Sequence, residues 1–286
     1  MKQTARDFFV QHGFYDLYTY SFVHAELMTK LGEDMSGLIE LKNQLSEEQS
    51  HMRGSLIPNL LLSLEKNIRD SRHLQLFEVE RVFTLEKDGK INEYDELAAV
   101  MTSEKQVVYY DMQNLVSECL HELGVDNYFF EPVETAPSYA HRTRSAHIVV
   151  RGKIIGIIGE IHPKIARNFD VHDRIGFFSL NLSLLSESSF NLIRYKEISQ
   201  YQENNFDLSF VVEKNTKGRE ISLAISKVNP TLIQKVELFD IYEDALRLPG
   251  KRSLSFKIWI QSESETLSDE VKNTLIQDIV KKVEKK

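Results

Sequence analysis

The sequence predicts an α+β protein with two domains: a larger one on a mostly antiparallel sheet and a smaller one of β-α-β-β-α order. Of its 286 residues, 42% are hydrophobic and 27% are charged, with only 12 Gly and 6 Pro, which is typical of a folded protein with sizeable cores. Apolar residues recur at period two in some segments and at helical spacing in others. We place the domain boundary after residue 194, giving domains 1–194 and 195–286.

The N-terminal domain opens with a helix, a strand and a second helix. Residues 4–12 predict a helix that Gly13 ends, because glycine adopts the left-handed cap at little cost. The aromatic and β-branched run DLYTYSFV, residues 16–23, predicts one continuous strand. Residues 24–31 predict a helix that stops at Gly32.

The rest of this domain mixes strands with two helices. Pro58 lies in the first turn of the first of these helices, where its missing N–H costs little. A turn at Arg151-Gly152 joins two β-rich runs into a hairpin, which favours an antiparallel sheet. The expected helices are 58–69 and 110–123, and the expected strands outside the hairpin are 74–85, 97–102 and 175–185.

The C-terminal domain has the order β-α-β-β-α. This is the ferredoxin-like βαββαβ pattern without its last strand before the chain ends at Lys286. Period-two alternation puts Leu254, Phe256, Ile258 and Ile260 on one side of its third strand. The expected strands are 206–213, 233–242 and 253–261, and the expected helices carry Ile221 to Val228 and Val271 to Val283.

Charge and cysteine usage exclude several classes of protein. The net charge is −8, and residues 197–286 carry 14 Lys+Arg and 15 Asp+Glu against 21 and 28 in the rest, so the acidity lies in the larger domain. The single cysteine, Cys119, excludes an internal disulfide and a cysteine-based zinc site. No apolar run approaches the ~20 residues of a membrane helix, and the N-terminus lacks a signal peptide. We expect a cytoplasmic protein without membrane contact.

Four stretches occur together in an order typical of one protein family. They are GFYDLYTYSF, then NQLSEEQSHMRGSLIPNLLLSLEKNIRDSRHLQLFEVERVF, then GIIGEIHP, and finally FDLS with LFDIYED, KRSLSF and TLSDEV. The set resembles the C-terminal part of the β subunit of bacterial phenylalanyl-tRNA synthetase. The resemblance implies a class II aminoacyl-tRNA synthetase-like core, catalytically silent, followed by a ferredoxin-fold anticodon-binding domain.

Some positions depart from the family's pattern. Gln44 stands where the family has Pro, Phe206 where it generally has Arg, and residues 141–144 read His-Arg-Thr-Arg in place of His-Pro-Gly-Arg. Counterparts of the family's upstream domains, the editing domain among them, are not in this sequence, so we expect no proofreading hydrolysis from this chain.

The resemblance implies no catalytic residues in this chain. Class II synthetases neutralise ATP phosphates with an Arg in a Phe-Arg-x-Glu strand and another in a Gly-x-Gly-x-Glu-Arg motif. Here Phe77 and Glu78 are adjacent with no Arg between them, and Ile161 follows Glu160 where the second Arg would be. We therefore expect ATP and Mg²⁺ to bind a partner α subunit in an α2β2 assembly. The core would dock there through its opening helix and strand and residues 50–62.

The resemblance also assigns an RNA site in LFDIYED and the following strand. Single-stranded anticodon bases are recognised by stacking on aromatic rings and by polar contacts to their edges. Carried over from the family, Tyr242 is the stacking platform, Asp240 a base-edge acceptor and Ser253 a hydroxyl partner, with Lys251 and Arg252 holding phosphate. The alternative is that Asp240 and Tyr242 only end a strand, and their parity with Val236 and Leu238 leaves both interpretations open.

Other polar residues favour structural roles. His162 beside Glu160 is better explained by a packed turn than by an acid–base pair. His141, His147 and His162 have spacings that match no zinc signature, so no metal site is expected. Cys119 is expected in the core. A solvated loop or a partner contact explains Arg142 and Arg144 better than RNA contact does.

Two other functions remain open at this stage. One is a self-sufficient ligase, which the absence of ATP–pyrophosphate exchange by this chain would exclude. The other is a stand-alone β-subunit paralogue that serves as a protein-interaction module, which predicts no tRNA affinity. Our expectation is a non-catalytic, tRNA-binding and structural portion of phenylalanine–tRNA ligase that binds phenylalanine tRNA and no DNA.

Overall fold

The computed structural model describes residues 1–44, 46–69, 73–86, 88–104, 107–187 and 199–284. These residues fall into two compact units, one on each side of the gap at 188–198. The boundary that we place between residues 194 and 195 lies outside the described residues.

The first unit is built on a large sheet. Its described strands form seven neighbours in the order β1-β4-β5-β9-β8-β7-β6, and all pairs are antiparallel except β1 with β4. Two further strands pair separately, β2 with β3. The strands are β1 Tyr15–Asp16, β2 Phe22–Val23, β3 His51–Met52, β4 Gln75–Leu85, β5 Ile91–Ser103, β6 Tyr128–Pro132, β7 Ala140–Val150, β8 Lys153–Ile161 and β9 Arg174–Asn181.

Helices cover both faces of this sheet. One apolar core lies between the sheet and helices α1, α4 and α6, and a second lies between the opposite face and α2, α3 and α5. Burial on both faces explains why the central strands read as nearly continuous apolar runs. The helices are α1 Lys2–Gln11, α2 Ala25–Leu31, α3 Ile57–Asn67, α4 Tyr109–Glu122, α5 Pro163–Asn168 and α6 Leu182–Glu187.

Local sequence signals fix several of these ends. Gly13, Gly32 and Gly124 follow α1, α2 and α4 with φ of +83°, +73° and +75°, the left-handed conformation that glycine adopts most readily. The turn between β7 and β8 places Arg151 and Gly152 at φ +50° and +80°, which are both positive as a type I′ hairpin turn requires. The hairpin prediction is confirmed.

The prediction of one strand over residues 16–23 is wrong. The chain forms only β1 and β2 there, and these belong to different sheets. Between them the Thr19 N–H donates to the Glu78 carboxylate and the Leu17 N–H donates to the Phe77 carbonyl. The Glu78 side chain thus accepts a backbone hydrogen bond that a neighbouring strand would accept in a regular sheet. The period-two alternation of residues 16–23 does not reveal this contact.

The prediction of a strand over residues 175–185 is wrong at its end. The strand stops at Asn181, whose Oδ1 accepts the Leu184 N–H at 2.9 Å and so caps α6. Leu182 and Leu185 are both buried, three residues apart on that helix. The apparent alternation of apolar residues over 175–185 hides this helical spacing.

The second unit has the predicted β-α-β-β-α order. Its strands form a three-stranded antiparallel sheet, β10-β12-β11, within the described residues, and both helices pack on one face. Leu254, Phe256, Ile258 and Ile260 are fully buried on that face, as their alternation predicts. The elements are β10 Asn204–Glu213, α7 Gly218–Ser226, β11 Ile233–Tyr242, β12 Lys251–Ile260 and α8 Asp269–Glu284.

Candidate nucleic-acid interface

The face of the small sheet opposite its helices is open. Along β10 the residues alternate strictly between half-buried and exposed, and the exposed set faces away from the helices. Directly opposed residues on neighbouring strands share a face, so pairing tells which side chains of β11 and β12 lie there. The pairing therefore decides which of the five residues assigned to RNA lie on this open face.

A bulge in β11 decides where Asp240 and Tyr242 lie. Leu238 pairs with buried Phe256, but Asp240 pairs with Ser255, so one extra residue, Phe239, interrupts the register. An extra residue reverses the alternation of every side chain that follows it. Asp240 and Tyr242 therefore lie on the open face, although Leu238 points toward the helices.

The bulge brings three of the predicted residues together. Tyr242 lies directly across from Ser253, and Asp240 lies one pair further along on the same face. The Tyr242 side chain is 44% exposed, and its Oη donates to Asp244 Oδ2 at 3.0 Å. This hydrogen bond raises the pKa of Tyr242 and holds the ring in one orientation. A fixed and exposed ring can serve as a stacking platform for a base.

The two predicted cations separate. Lys251 pairs with Glu213 on the open face, with its Nζ 3.7 Å from the carboxylate. Arg252 pairs with Val212 on the helix side, where it donates to the Thr216 carbonyl at 2.9 Å and lies 3.7 Å from Glu243. Lys251 therefore shares the open face with Tyr242, whereas Arg252 is engaged on the other face of the sheet.

Sequence reasoning missed three residues of this surface. Asp244 orients Tyr242 and also accepts the N–H groups of Leu246 and Arg247, which lowers its pKa. Phe239 and Trp259 place further rings on the open face. Asp244 could have been identified from the sequence, because an Asp two residues after the end of a strand is a turn signal. The position of Phe239 on the open face depends on a bulge that no residue pattern marks.

In the large sheet, Glu78 is satisfied by internal donors. Its buried carboxylate accepts hydrogen bonds from Thr19 N at 3.1 Å, Thr19 Oγ1 at 2.7 Å and Arg53 Nη1 at 2.9 Å. The Arg53 guanidinium is itself buried and also donates to the Arg81 carbonyl. This cluster ties the segment after β1 to β4 and offers no free charge to a ligand.

Glu160 is satisfied in the same way. Its Oε1 accepts the N–H groups of Val108 and Tyr109 at the first turn of α4, at 2.9 and 3.2 Å, and its Oε2 lies 2.8 Å from Arg144 Nη1. The next residue, Ile161, is buried in an apolar core. Neither Glu78 nor Glu160 therefore presents a free carboxylate to a ligand.

The glycines of GIIGEIHP are required by strand packing. A Cβ at Gly156 would fall on the carbonyl oxygen of Ser179 in β9, and one at Gly159 would fall on the Ser145 hydroxyl in β7. Both glycines therefore permit close approach of neighbouring strands. This explains the motif without a phosphate loop.

The remaining candidates have structural surroundings. His162 Nδ1 accepts the Lys164 N–H and caps α5, and its ring stacks on His141 with centroids 5.9 Å apart. Cys119 is fully buried, which confirms its predicted core position, and this burial raises the pKa of its thiol to about 12. Among the described residues no three His, Cys, Asp or Glu side chains come together as metal ligands. No helix in the same ranges is long and apolar enough to cross a membrane.

Comparison with known proteins gives the class of protein. A pyrrolysyl-tRNA synthetase structure from Desulfitobacterium hafniense matches with a TM-score of 0.55 and 14% identity, covering 65% of this chain and 66% of that one. The model of the ferredoxin-fold anticodon binding domain matches residues 199–286. The fold is therefore that of an aminoacyl-tRNA synthetase core with an anticodon-binding domain, as predicted.

The family follows from the N-terminal unit. The model of the phenylalanyl-tRNA synthetase β chain CLM domain matches residues 1–182, so the chain belongs to this family. The phenylalanine–tRNA ligase β subunit of Clostridium acetobutylicum is 25% identical over 99% of this chain and 36% of its own length. That of Rickettsia prowazekii is 29% identical over 96% and 35%. The chain thus spans about a third of the length of these relatives.

Proposed function

We propose that this chain is the non-catalytic, tRNA-binding and structural portion of a phenylalanine–tRNA ligase. It supports the attachment of phenylalanine to its tRNA by a catalytic α subunit. The observation that carries the proposal is the β11 bulge, which puts Asp240 and Tyr242 beside Ser253 on an open sheet face. Residues 199–286 also match the family model of the ferredoxin-fold anticodon binding domain, which supports the same role.

Each residue of this surface has a role suited to a single-stranded base. The Tyr242 ring stacks on the base, the Asp240 carboxylate accepts from an edge amine, and the Ser253 hydroxyl forms a second edge contact. Lys251 lies at the end of the same face and binds a phosphate of that strand. Arg252 supports the site from the other side by its contacts to Thr216 and Glu243.

The reaction itself belongs to the α subunit in this proposal. ATP, Mg²⁺ and phenylalanine bind there, because Glu78 and Glu160 are saturated by internal donors. Assembly as a cytoplasmic α2β2 heterotetramer uses the opening segment, which exposes Tyr18 and Tyr20 at 85% and 77%. Exposed aromatic side chains are enriched at the centres of protein interfaces.

The test is binding of labelled tRNA at a stated moderate salt. Phenylalanine tRNA is compared with a tRNA changed only in its anticodon, using the wild-type chain and Tyr242→Ala. We expect a preference for the native anticodon and about ten-fold weaker binding by Tyr242→Ala, because one base–aromatic stack contributes about 1–3 kcal/mol.

Tyr110→Ala is the matched control. Tyr110 is 66% exposed but lies in the first unit, so its loss should leave tRNA binding unchanged. Equal and negligible binding of both tRNAs by the wild-type chain would contradict the proposal and favour a protein-interaction module.

A further inference from the structure

The open face extends well past Tyr242, to the sole tryptophan of the sequence. Trp259 lies on the central strand β12, between Asn205 on β10 and Lys235 on β11, and both neighbours are exposed. The Lys235 ammonium lies over the indole, 4.6 Å from the ring centroid. A cation can occupy that position only if the ring turns a π face outward.

Phe239 gives a similar arrangement between Trp259 and Tyr242. The bulge leaves its side chain 52% exposed, and Lys257 Nζ lies 5.8 Å from its ring centroid. The open face therefore carries three aromatic rings, two of them with a lysine above. Phe239 and Tyr242 are exposed, and Trp259 is half-buried. Aromatic surface grouped in this way is a candidate ligand site.

We propose that Phe239 and Trp259 continue the Tyr242 site as a track for single-stranded RNA. Further bases of the bound strand stack on these rings in the positions that the Lys257 and Lys235 side chains now occupy. This inference rests on the proposed function and extends it to residues outside the predicted site.

The dimensions suit a short strand. Ser253 and Trp259 are six residues apart on one strand, which is about 20 Å at ~3.3 Å per residue. A stacked nucleic-acid strand rises about 3.4 Å per nucleotide. The track therefore reaches bases beyond the one at Tyr242 without needing a second binding surface.

The charges favour stacking over phosphate attraction. The three lysines of the face, at positions 235, 251 and 257, are opposed by nearby carboxylates, with Lys235 Nζ 2.6 Å from Glu237. Asp207 and Glu237 flank Lys257 in register on the two neighbouring strands. A face with balanced charge attracts duplex RNA weakly, whereas exposed rings bind unpaired bases. We therefore expect a shallow dependence of affinity on salt.

The experiment uses the fluorescence of Trp259, which is the only tryptophan signal of the chain. The full chain is titrated with a single-stranded oligoribonucleotide of the anticodon-loop sequence of phenylalanine tRNA, then with a duplex RNA of the same sequence. We expect quenching by the single strand and little by the duplex. Trp259→Ala should bind the single strand about ten-fold more weakly in a labelled-RNA assay, and Trp259→Phe less than three-fold more weakly, because a ring remains.

The outcomes separate this inference from the proposed function. Tyr242-dependent binding of tRNA without quenching, and with unchanged affinity in Trp259→Ala, overturns the track and leaves the proposed function standing. Quenching by a partner protein but not by either RNA also overturns it. Circular dichroism of Trp259→Ala shows whether the sheet is folded. If it is not, the quenching titration of the wild-type chain still decides, because absence of quenching by the bound single strand overturns the track.

Discussion

The two sheets of this molecule treat polar side chains in opposite ways. The large sheet is covered on both faces, and its buried carboxylates Glu78, Glu96 and Glu160 are held by internal donors. The helices of the second unit cover one face of the small sheet, and on the other face Asp240 and Lys251 are exposed while Ser253 is half-buried. A buried charge must be paired inside the protein, so the first sheet uses its charges for folding. The second sheet keeps its charged side chains at the solvent-facing surface, where ion pairs contribute little to stability.

The largest expected effect comes from breaking a buried pair in the first sheet. Arg53→Met leaves the Glu78 carboxylate buried with one fewer donor, since both side chains are almost fully buried. We expect a loss of about 3–5 kcal/mol in the free energy of unfolding. Urea unfolding followed by far-UV circular dichroism measures it.

Two controls accompany this measurement. Arg81→Met removes an ion pair with Glu93 that is 59% and 48% exposed, so it should cost under about 1 kcal/mol. The fluorescence of Trp259 reports on unfolding of the second unit, so it separates that unit's transition from the one in which Arg53 lies. An equal cost for the two arginine variants would contradict the distinction between the sheets.

A smaller effect is expected from Glu96 and depends on pH. Burial raises the pKa of Glu96 from 4.5 to about 7, although its carboxylate accepts from Ser55 Oγ at 2.9 Å and Leu56 N at 3.1 Å. Between about pH 4.5 and pH 7, Glu96 is therefore protonated in the folded state and ionised in the unfolded state. This stabilisation is fully present below about pH 4.5 and is lost as the pH rises through about 7.

Glu96→Gln has no titrating group at this position and is therefore the reference for the wild-type protein. The difference between pKa values of about 7 and 4.5 corresponds to about 3 kcal/mol, so the variant should gain up to that amount relative to wild type between pH 5 and pH 8. Unfolding free energies of both proteins across this range measure it. Parallel pH profiles would show that Glu96 titrates normally in the folded protein.

The smallest effect on stability is expected on the open face. Asp240→Asn changes an exposed side chain that has no role in the core, so the unfolding free energy should stay within about 0.5 kcal/mol of wild type. Discrimination between anticodons should fall in the same variant, because an amide replaces the edge acceptor. A stability loss comparable to that of Arg53→Met would contradict the division of roles between the sheets.

Much of the architecture could be predicted from local patterns. Glycines mark the ends of α1, α2 and α4, Arg151-Gly152 marks a hairpin, and strict alternation marks the core side of β12. Predictions failed where a side chain replaced a regular backbone partner. Glu78 satisfies the backbone near Thr19, and Asn181 caps α6, and neither contact is visible in the periodicity of the residues concerned.

By itself the sequence determined the fold class, through the spacing of its apolar residues, and the family, through the order of its motifs. The residues of the candidate site were assigned by resemblance to that family. The tertiary structure alone decided which of those residues share a surface. A single extra residue at Phe239 moves Asp240 and Tyr242 to the open face beside Lys251, while Arg252 points to the opposite side. The bulge appears only in the pairing of β11 with β12, and no residue type in β11 marks the position of the extra residue.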